Sequence, residues 1–307
     1  MDKETLSNYG WIVICVLVLA VMIALATPFG SFVADAVKST TQGLFDVNQN
    51  ALNSTGLINI DGQTFGEGGN GGAVNGGSGD QGGSALPAIG TSAEDCTWDE
   101  IKAISEAGKG DEYFNLGDTK TFTTTDGNTI VMEIVAFNAD TKADEAGTAG
   151  ITWLSKKIVT RHQMNSTETN KNGWVASELR TWLQGEFYNT LPVEIRNSVV
   201  SVNKSYYDKT SNSTLTCVDN VWIPSSYEIY GTTSSYGKES DGVYYDHLST
   251  MTSRIRYDSE GNVANWFLRT ASEYGQHFRG VNQDGTSYPT AQYMAWGNQG
   301  VVLGFCT

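Results

Sequence analysis

Residues 271–298 concentrate the side chains best suited to bind a ligand. This segment, ASEYGQHFRGVNQDGTSYPTAQYMAWGN, holds three tyrosines, one tryptophan and several amides, with few aliphatic side chains. Tyrosine and tryptophan give a large contact area at low entropy cost, while serine, glycine and asparagine supply adaptable hydrogen bonds. We therefore predict a binding surface with the candidate residues Tyr274, His277, Arg279, Asn282, Asp284, Tyr288, Gln292, Tyr293, Trp296 and Asn298. The alternative is an ordinary polar hairpin whose aromatic rings cover the edge of the core.

Patterns for catalysis and metal binding are absent from the sequence. The histidines, His162, His247 and His277, occur without the G-x-S-x-G sequence of a nucleophile elbow. No C-x-x-C or H-x-x-x-H spacing is present, which argues against a zinc site. Paired carboxylates such as Glu239 and Asp241 lie in glycine- and serine-rich stretches, where simple solvation explains them. We expect a protein that is not an enzyme and that uses no cofactor and no metal.

The cysteine count limits disulfide formation. Cys15 lies in an apolar run, which leaves Cys96, Cys217 and Cys306 in the rest of the chain. An odd number allows at most one bridge within the molecule, with one thiol left over. Three buried, reduced cysteines are the alternative.

The candidate binding surface must be positioned by strands. Asp284-Gly285 is typical of a tight turn, so residues 278–282 and 286–288 are predicted to pair as a hairpin. Successive side chains of a strand point to opposite faces, so the candidate residues would alternate between core and surface. Further strands are predicted over residues 198–205, 215–223, 265–270, 275–282 and 300–305.

Residues 96–307 are long enough to form a full hydrophobic core. Thr97 is a candidate N-cap for a helix that ends at Gly108, and residues 177–187 predict a second helix. Asp126-Gly127-Asn128 predicts a hairpin of residues 119–125 and 129–137. Helices early and strands late in one domain favour an α+β fold with a mainly antiparallel sheet.

The amino-terminal third is organised differently. The run from Trp11 to Ala26 is uninterrupted and apolar, nearly long enough to span a bilayer by itself. We predict a tail over residues 1–10, a transmembrane signal-anchor over 11–28, and an amphipathic juxtamembrane helix over 29–55. Residues 56–95 are glycine-rich and predict a flexible linker, since they cannot bury enough apolar surface to offset their ordering entropy.

Two other fates of the apolar run stay open. Ala24-Leu25-Ala26 fits the small-residue pattern of a secretory cleavage site. A pilin-like leader would instead be removed after Gly10, and residues 11–52 would then assemble the chain into a homo-oligomeric filament.

Charge narrows the class of partner. The formal net charge of −15 disfavours nucleic acid and anionic membrane surfaces, which attract lysine and arginine. Only 17% of the residues are charged, while uncharged polar and aromatic residues abound, as is common in secreted and surface proteins. We predict a single-pass protein of the cell membrane whose globular domain is extracellular.

Several spaced motifs resemble those of an uncharacterised family of bacterial surface domains. They are Gly173-Trp174, Ser177, Arg180, Trp182-Leu183, Val221-Trp222-Ile223-Pro224-Ser225, Trp266-Phe267-Leu268-Arg269-Thr270 and Gly304-Phe305-Cys306. The last two match the W-x-L-R-S motif and the C-terminal G-F-C end of that family, with Thr270 in place of its serine. Thr97-Trp98 and Tyr113-Phe114 with Gly117-Asp118 resemble its opening. No biochemical activity is implied by this resemblance.

More distantly, the second half of the chain resembles C-type-lectin-like domains, including formylglycine-generating-enzyme-like proteins and the variable proteins of diversity-generating retroelements. The segment from Ile223 to Glu228 is the counterpart of their L-P-S-x-x-E sequence, with Ile223 in place of its leucine. The resemblance implies that the two ends of the domain meet, which would make Cys96 and Cys306 a candidate disulfide. The calcium-sugar motifs Glu-Pro-Asn, Gln-Pro-Asp and Trp-Asn-Asp are missing, as are the paired active cysteines of formylglycine-generating enzymes.

Together these features predict a membrane-anchored, surface-displayed binding module, an adhesin or receptor-like protein. Its expected partner is an extracellular protein or a glycan, bound through residues 271–298. A narrower hypothesis is that this region is diversified by a retroelement. The alternative function is a pilin-like filament subunit that assembles through its N-terminal helix.

Overall fold

The computed structural model of the chain describes residues 86–231, 242–286 and 292–307. These residues belong to a compact unit that spans Gly79–Thr307. The predicted anchor, the juxtamembrane helix and most of the glycine-rich linker lie outside the described residues. Within the described ranges, no helix is long and apolar enough to cross a membrane.

Short helices and strands make up the described residues. The α-helices are α1 Trp98–Glu106, α2 Gly110–Tyr113, α3 Glu178–Trp182, α4 Tyr188–Thr190, α5 Val193–Ser198, α6 Ser226–Tyr230 and α7 Met251–Arg254. The strands are β1 Thr119–Thr123, β2 Thr129–Phe137, β3 Ile151–Ser155, β4 Thr160–His162, β5 Val202–Asp208, β6 Ser213–Asp219, β7 Arg256–Tyr257, β8 Val263–Ala264, β9 Trp266–Ala271, β10 His277–Val281, β11 Gln292–Met294, β12 Gln299–Val301 and β13 Gly304–Cys306. A π-helix, Leu183–Phe187, joins α3 to α4, and 3₁₀ turns occupy Trp174–Ala176 and Asp246–Leu248.

Two sheets carry most of the core. In the first, the strand order is β1-β2-β3-β13 and every pair is antiparallel. In the second, the order is β11-β10-β9-β12-β4, and only the β9–β12 pair is parallel. The hairpins β5–β6 and β7–β8 form two further, two-stranded sheets. The predicted α+β class with mainly antiparallel sheets is therefore confirmed.

Helix α1 begins at the predicted cap. The Thr97 hydroxyl accepts a hydrogen bond from the Glu100 amide at 3.2 Å, and the Glu100 carboxylate accepts one from the Thr97 amide at 2.7 Å. This capping box satisfies two of the amide donors that every helix start leaves free. The buried face of α1 packs Trp98 at 5.8 Å from Phe305, between ring centroids.

The last predicted strand is in fact two strands. Residues 300–305 were expected to be continuous, but β12 belongs to the second sheet and β13 to the first. Between them, the Leu303 amide donates to the Ser155 hydroxyl, and the Leu303 carbonyl accepts from the Ser155 amide. These two bonds satisfy buried backbone groups at the point where the chain crosses from one sheet to the other.

Other boundaries also shift. The strand predicted over residues 198–205 begins only at Val202, because α5 occupies the chain up to Ser198. The second predicted helix keeps its start, with Ser177 as N-cap, but becomes a π-helix at Leu183. Packed structure begins before residue 96, since Ala93 is buried and its carbonyl accepts from the ammonium of Lys120 at 3.2 Å.

Candidate functional site

Two turns of the second sheet lie at the same end of that sheet. Strand β10 runs antiparallel to β9 and to β11, so the β9–β10 turn and the end of β11 meet. His277 at the start of β10 is paired with Met294 at the end of β11. The chain then turns through Trp296, and the amide of Ala295 donates to the carbonyl of Gln276 at 2.8 Å.

This end of the sheet exposes large side chains. Tyr274 is 59% exposed, Trp296 46% and Met294 45%. The ring of Tyr274 meets that of His277 edge-on, with 6.1 Å between centroids. We call the set Tyr274, His277, Met294 and Trp296 the aromatic end. Exposed apolar side chains in a group are uncommon on a soluble surface and often mark an interaction site.

A loop that the sequence patterns did not single out holds the aromatic end in place. Asn170 is 1% exposed, and its side-chain nitrogen lies 2.8 Å from the carbonyl oxygens of Ser272, Tyr274 and His277, which share its two N–H donors. In the same loop, the amide of Asn165 donates to the carbonyl of Ala295 at 2.9 Å. Both turns are therefore fixed from one side by a segment about a hundred residues earlier in the chain.

Some predicted binding residues make contacts within the fold. Arg279 is 4% exposed and forms an ion pair with Glu273. The Tyr293 hydroxyl donates to the Asn282 side chain at 2.7 Å, and a Cβ at Gly280 would lie only 2.4 Å from the Tyr293 ring. Burial raises the pKa of Tyr293. These contacts make the middle of the β10–β11 pair part of the packing.

Two of the remaining candidates lie away from the aromatic end. Asn282 and Asp284 lie in the turn after β10, at the opposite end of that strand from His277. Asp284 accepts hydrogen bonds from the amide and the hydroxyl of Thr286, which lower its pKa, and it borders a cavity of about 400 Å³. Gln292 is partly buried in β11, while Asn298 is exposed next to the aromatic end. Tyr288 and the predicted partner strand over 286–288 lie largely outside the described residues.

The candidate disulfide is not formed. Cys96, Cys217 and Cys306 are all free and buried. Cys306 lies in β13 beside the Asp140 carboxylate, at 3.5 Å, and burial raises its pKa well above the ordinary range. Cys96 lies just before α1, where its carbonyl accepts from the Lys120 ammonium. Each thiol is packed into a different surrounding, so the alternative of buried, reduced cysteines describes the structure.

The most highly charged part of the interior is a group that we call the charge network: Asp140, Lys204, Glu228, Tyr245 and Arg269. Arg269 and Glu228 form a two-pronged ion pair, with N–O distances of 2.6 and 2.7 Å. The Lys204 ammonium contacts Asp140, the Glu228 carboxylate at 3.1 Å and the Tyr245 hydroxyl at 2.9 Å. Each charged side chain of the network is at most 3% exposed.

The network balances two positive against two negative charges. Burial alone would raise the pKa of Glu228, but the guanidinium of Arg269 and the ammonium of Lys204 lower it to about 2. For Lys204, burial opposes the charge while Asp140 and Glu228 favour it, and the net effect raises its pKa. The ammonium also lies 3.4 Å from the centroid of the Trp222 ring, a cation–π contact.

Several motif residues of the sequence resemblance therefore have structural roles. Arg269 and Glu228 pair with each other, and Ser225 caps α6 in a capping box with Glu228. Gly304 permits close packing, because a Cβ there would lie 2.7 Å from the Trp222 ring. Buried pairing and packing explain these residues without a ligand.

A cavity of about 620 Å³ borders the charge network at Asp140 and Glu228. Its wall includes the β5–β6 hairpin and the loop that follows β2. No group of three or more His, Cys, Asp or Glu side chains in the described ranges is arranged to hold a metal ion.

The described residues form a mixed α/β domain with mostly antiparallel sheets. It contains a buried charge network and an exposed aromatic end. Residues 149–300 match the family model described as Domain of unknown function (DUF6273), so this stretch of the chain is a DUF6273 domain. No curated protein and no solved structure matches the chain. The bacterial surface family and the C-type-lectin-like relation stay predictions.

Proposed function

We propose that this protein is a membrane-anchored, surface-displayed binding module whose ligand, an extracellular protein or glycan, contacts the aromatic end. The observation that carries the proposal is the exposure of Tyr274, Met294 and Trp296 on turns that meet at one end of a sheet. In the described part of the chain, other residues leave about half of each of these three side chains exposed.

Rigid support favours binding as the role of these side chains. The Asn170 side chain and the Asn165 backbone hold both turns, so little conformational entropy is lost when a partner orders them. Aromatic and methionine side chains are enriched in the buried centres of interfaces, and polar neighbours suit the rim. Gln276 and Asn298 are exposed polar neighbours of this kind.

The membrane anchor, the display at the surface and the diversification of the binding region are proposed from the sequence. The apolar run at residues 11–28 would anchor the chain in the cell membrane, and the glycine-rich linker would let the domain reach outward. A C-type-lectin-like relation and retroelement diversification would both suit a variable binding surface at 271–298. A near-copy repeat of the 271–307 coding region that differs at adenines would support that diversification.

A binding experiment with matched variants tests the proposal. The full chain, reconstituted in lipid nanodiscs without free detergent, would be applied to a glycan array and to a panel of intact cells, together with Tyr274→Ala and Trp296→Ala. Each variant is expected to lose at least tenfold in binding, which equals about 1.4 kcal/mol. Tyr257→Ala is the matched control, because Tyr257 is 45% exposed but lies in β7, outside the second sheet.

Two outcomes would overturn the proposal. One is the absence of binding to every glycan and cell type while circular dichroism shows a folded domain. The other is binding that Tyr257→Ala weakens as much as the two aromatic-end variants do.

A further inference from the structure

The cavity of about 620 Å³ is distinct from the aromatic end. Its walls come from the β5–β6 hairpin, the loop at residues 140–145, Glu228 of α6, and Gly242-Val243. No residue of the aromatic end lines it. Cavities of roughly 300–1,000 Å³ are the usual size for sites that bind small molecules.

Hydrogen-bonding side chains form one wall. Asn203 is paired across the hairpin with Val218, and Ser205 with Thr216. Cross-strand partners point to the same face of a sheet, so an amide, two hydroxyls and one apolar side chain share this wall. Their neighbours Lys204 and Cys217 alternate with them along the two strands and are buried, and Cys217 also borders the cavity. This wall suits a ligand that carries hydroxyl groups.

The charged groups that line the cavity are carboxylates. Asp140 and Glu228 contribute from the charge network, and Glu145 contributes from the loop, where it is exposed. In the described part of the chain, no lysine, arginine or histidine lines the cavity. Lys204 and Arg269 offset the charges of Asp140 and Glu228, which leaves Glu145 as the carboxylate without an ion-pair partner among the described residues. A positively charged ligand group is therefore favoured over an anionic one.

We propose that this cavity binds a small hydroxylated amine, of the size and chemistry of an amino sugar. The ammonium group would lie near Glu145, and the hydroxyl groups would bond to Asn203, Ser205 and Thr216. This site does not depend on the proposed role of the aromatic end.

Three sugars that differ in charge test the assignment on the full chain. Calorimetric titrations with glucosamine, glucose and glucuronate keep the ring size constant while the charge changes from positive to negative. Glucosamine is expected to bind at least fivefold more tightly than glucose, and glucuronate is expected not to bind, because an exposed ion pair changes affinity by about fivefold.

Three substitutions test whether glucosamine binds in this cavity. Glu145→Gln is expected to reduce glucosamine affinity about fivefold, whereas Asp144→Asn, which removes the neighbouring exposed carboxylate outside the lining, leaves it unchanged. Thr216→Lys places an ammonium in the cavity and is expected to abolish binding. Thermal unfolding checks that each variant is folded.

Three results would overturn the inference: no glucosamine binding at millimolar concentration, equal binding of all three sugars, or equal effects of Glu145→Gln and Asp144→Asn. Loss of glucosamine binding in Trp296→Ala would also overturn it, because the sugar would then occupy the aromatic end. That last result would leave the proposed binding function of the aromatic end intact.

Discussion

The charge network and the aromatic end reverse the usual distribution of side chains, and they do so within a few residues of each other. Arg269 lies in β9 and is 1% exposed, whereas Tyr274 lies in the turn just after β9 and is 59% exposed. A buried charge and an exposed aromatic ring are the informative exceptions to hydrophobic burial. Here the two exceptions have different causes.

The buried charges are explained by each other. Each charged side chain of the network has an oppositely charged partner within 3.1 Å. Ion pairing within the interior therefore explains why these charges are buried. Among the described residues, by contrast, Tyr274 and Trp296 remain 59% and 46% exposed. The contrast teaches that unusual burial indicates function only where the surrounding structure does not already satisfy the residue.

The largest expected effect comes from breaking the charge network. Arg269→Met leaves Glu228 buried without its main partner, and we expect a loss of about 3–5 kcal/mol in the free energy of unfolding. Urea denaturation measures it. The control is Arg161→Ala, since Arg161 pairs with Asp258 at 3.4 Å with its side chain 44% exposed, and its loss should cost at most about 1 kcal/mol. Equal effects in the two variants would contradict the assigned role of the network.

Acid should weaken the same network. The pKa of Glu228 in the folded protein is about 2, below its ordinary value of 4.5, so its ionised form contributes stability above about pH 5. That contribution is lost as the pH falls towards the pKa of Glu228 in the folded protein. Protonation of Glu228 should therefore decrease the free energy of unfolding by about 2–3 kcal/mol between pH 5 and pH 2. Urea denaturation at a series of pH values checks it. A free energy that stays constant down to pH 3 would argue against an ionised, paired Glu228.

Loosening the aromatic end should lower the free energy of unfolding by less than breaking the charge network does. Asn170→Ala removes the amide that bonds to the carbonyls of Ser272, Tyr274 and His277, and about 1–3 kcal/mol is expected for leaving buried groups unsatisfied. Amide hydrogen exchange of residues 273–277 should accelerate more than that of β1 and β2. Asn262→Ala is the control, because the Asn262 side chain makes an exposed contact at 3.3 Å. Unchanged exchange at 273–277 would show that the loop does not hold the turn.

The smallest effect on stability is expected at the aromatic end itself. Tyr274→Ala and Trp296→Ala should each change the free energy of unfolding by no more than about 0.5 kcal/mol, since both side chains are exposed. Thermal and urea denaturation measure this. A loss above 1.5 kcal/mol in either variant would assign that side chain to packing and remove the contrast with the charge network.

Elements with local causes were predictable. The Thr97 N-cap and the Asp126-Gly127-Asn128 turn depend on residues within a few positions, and both are present as predicted. The prediction of one continuous strand over 300–305 was wrong, because the two halves of that segment belong to different sheets. Periodicity reports which residues are apolar but not which neighbouring strand they meet.

The candidate binding segment was predicted as one surface, and the structure divides it. Strand β10 separates His277 at one end from Asn282 and Asp284 beyond the other. Arg279 and Tyr293 lie between and are used in packing. Asn170 was missed, since nothing in its local sequence indicates that it bonds to a turn more than a hundred residues later.

The sequence by itself determined the local starts and turns, the acidic balance and the concentration of aromatic and amide side chains at 271–298. Only the tertiary structure decided which of those side chains are exposed and which charges are paired. Lys204 meets Asp140 across 64 residues and Arg269 meets Glu228 across 41. Such contacts form when sheets pack and exclude water, so their energy depends on burial that no local pattern contains.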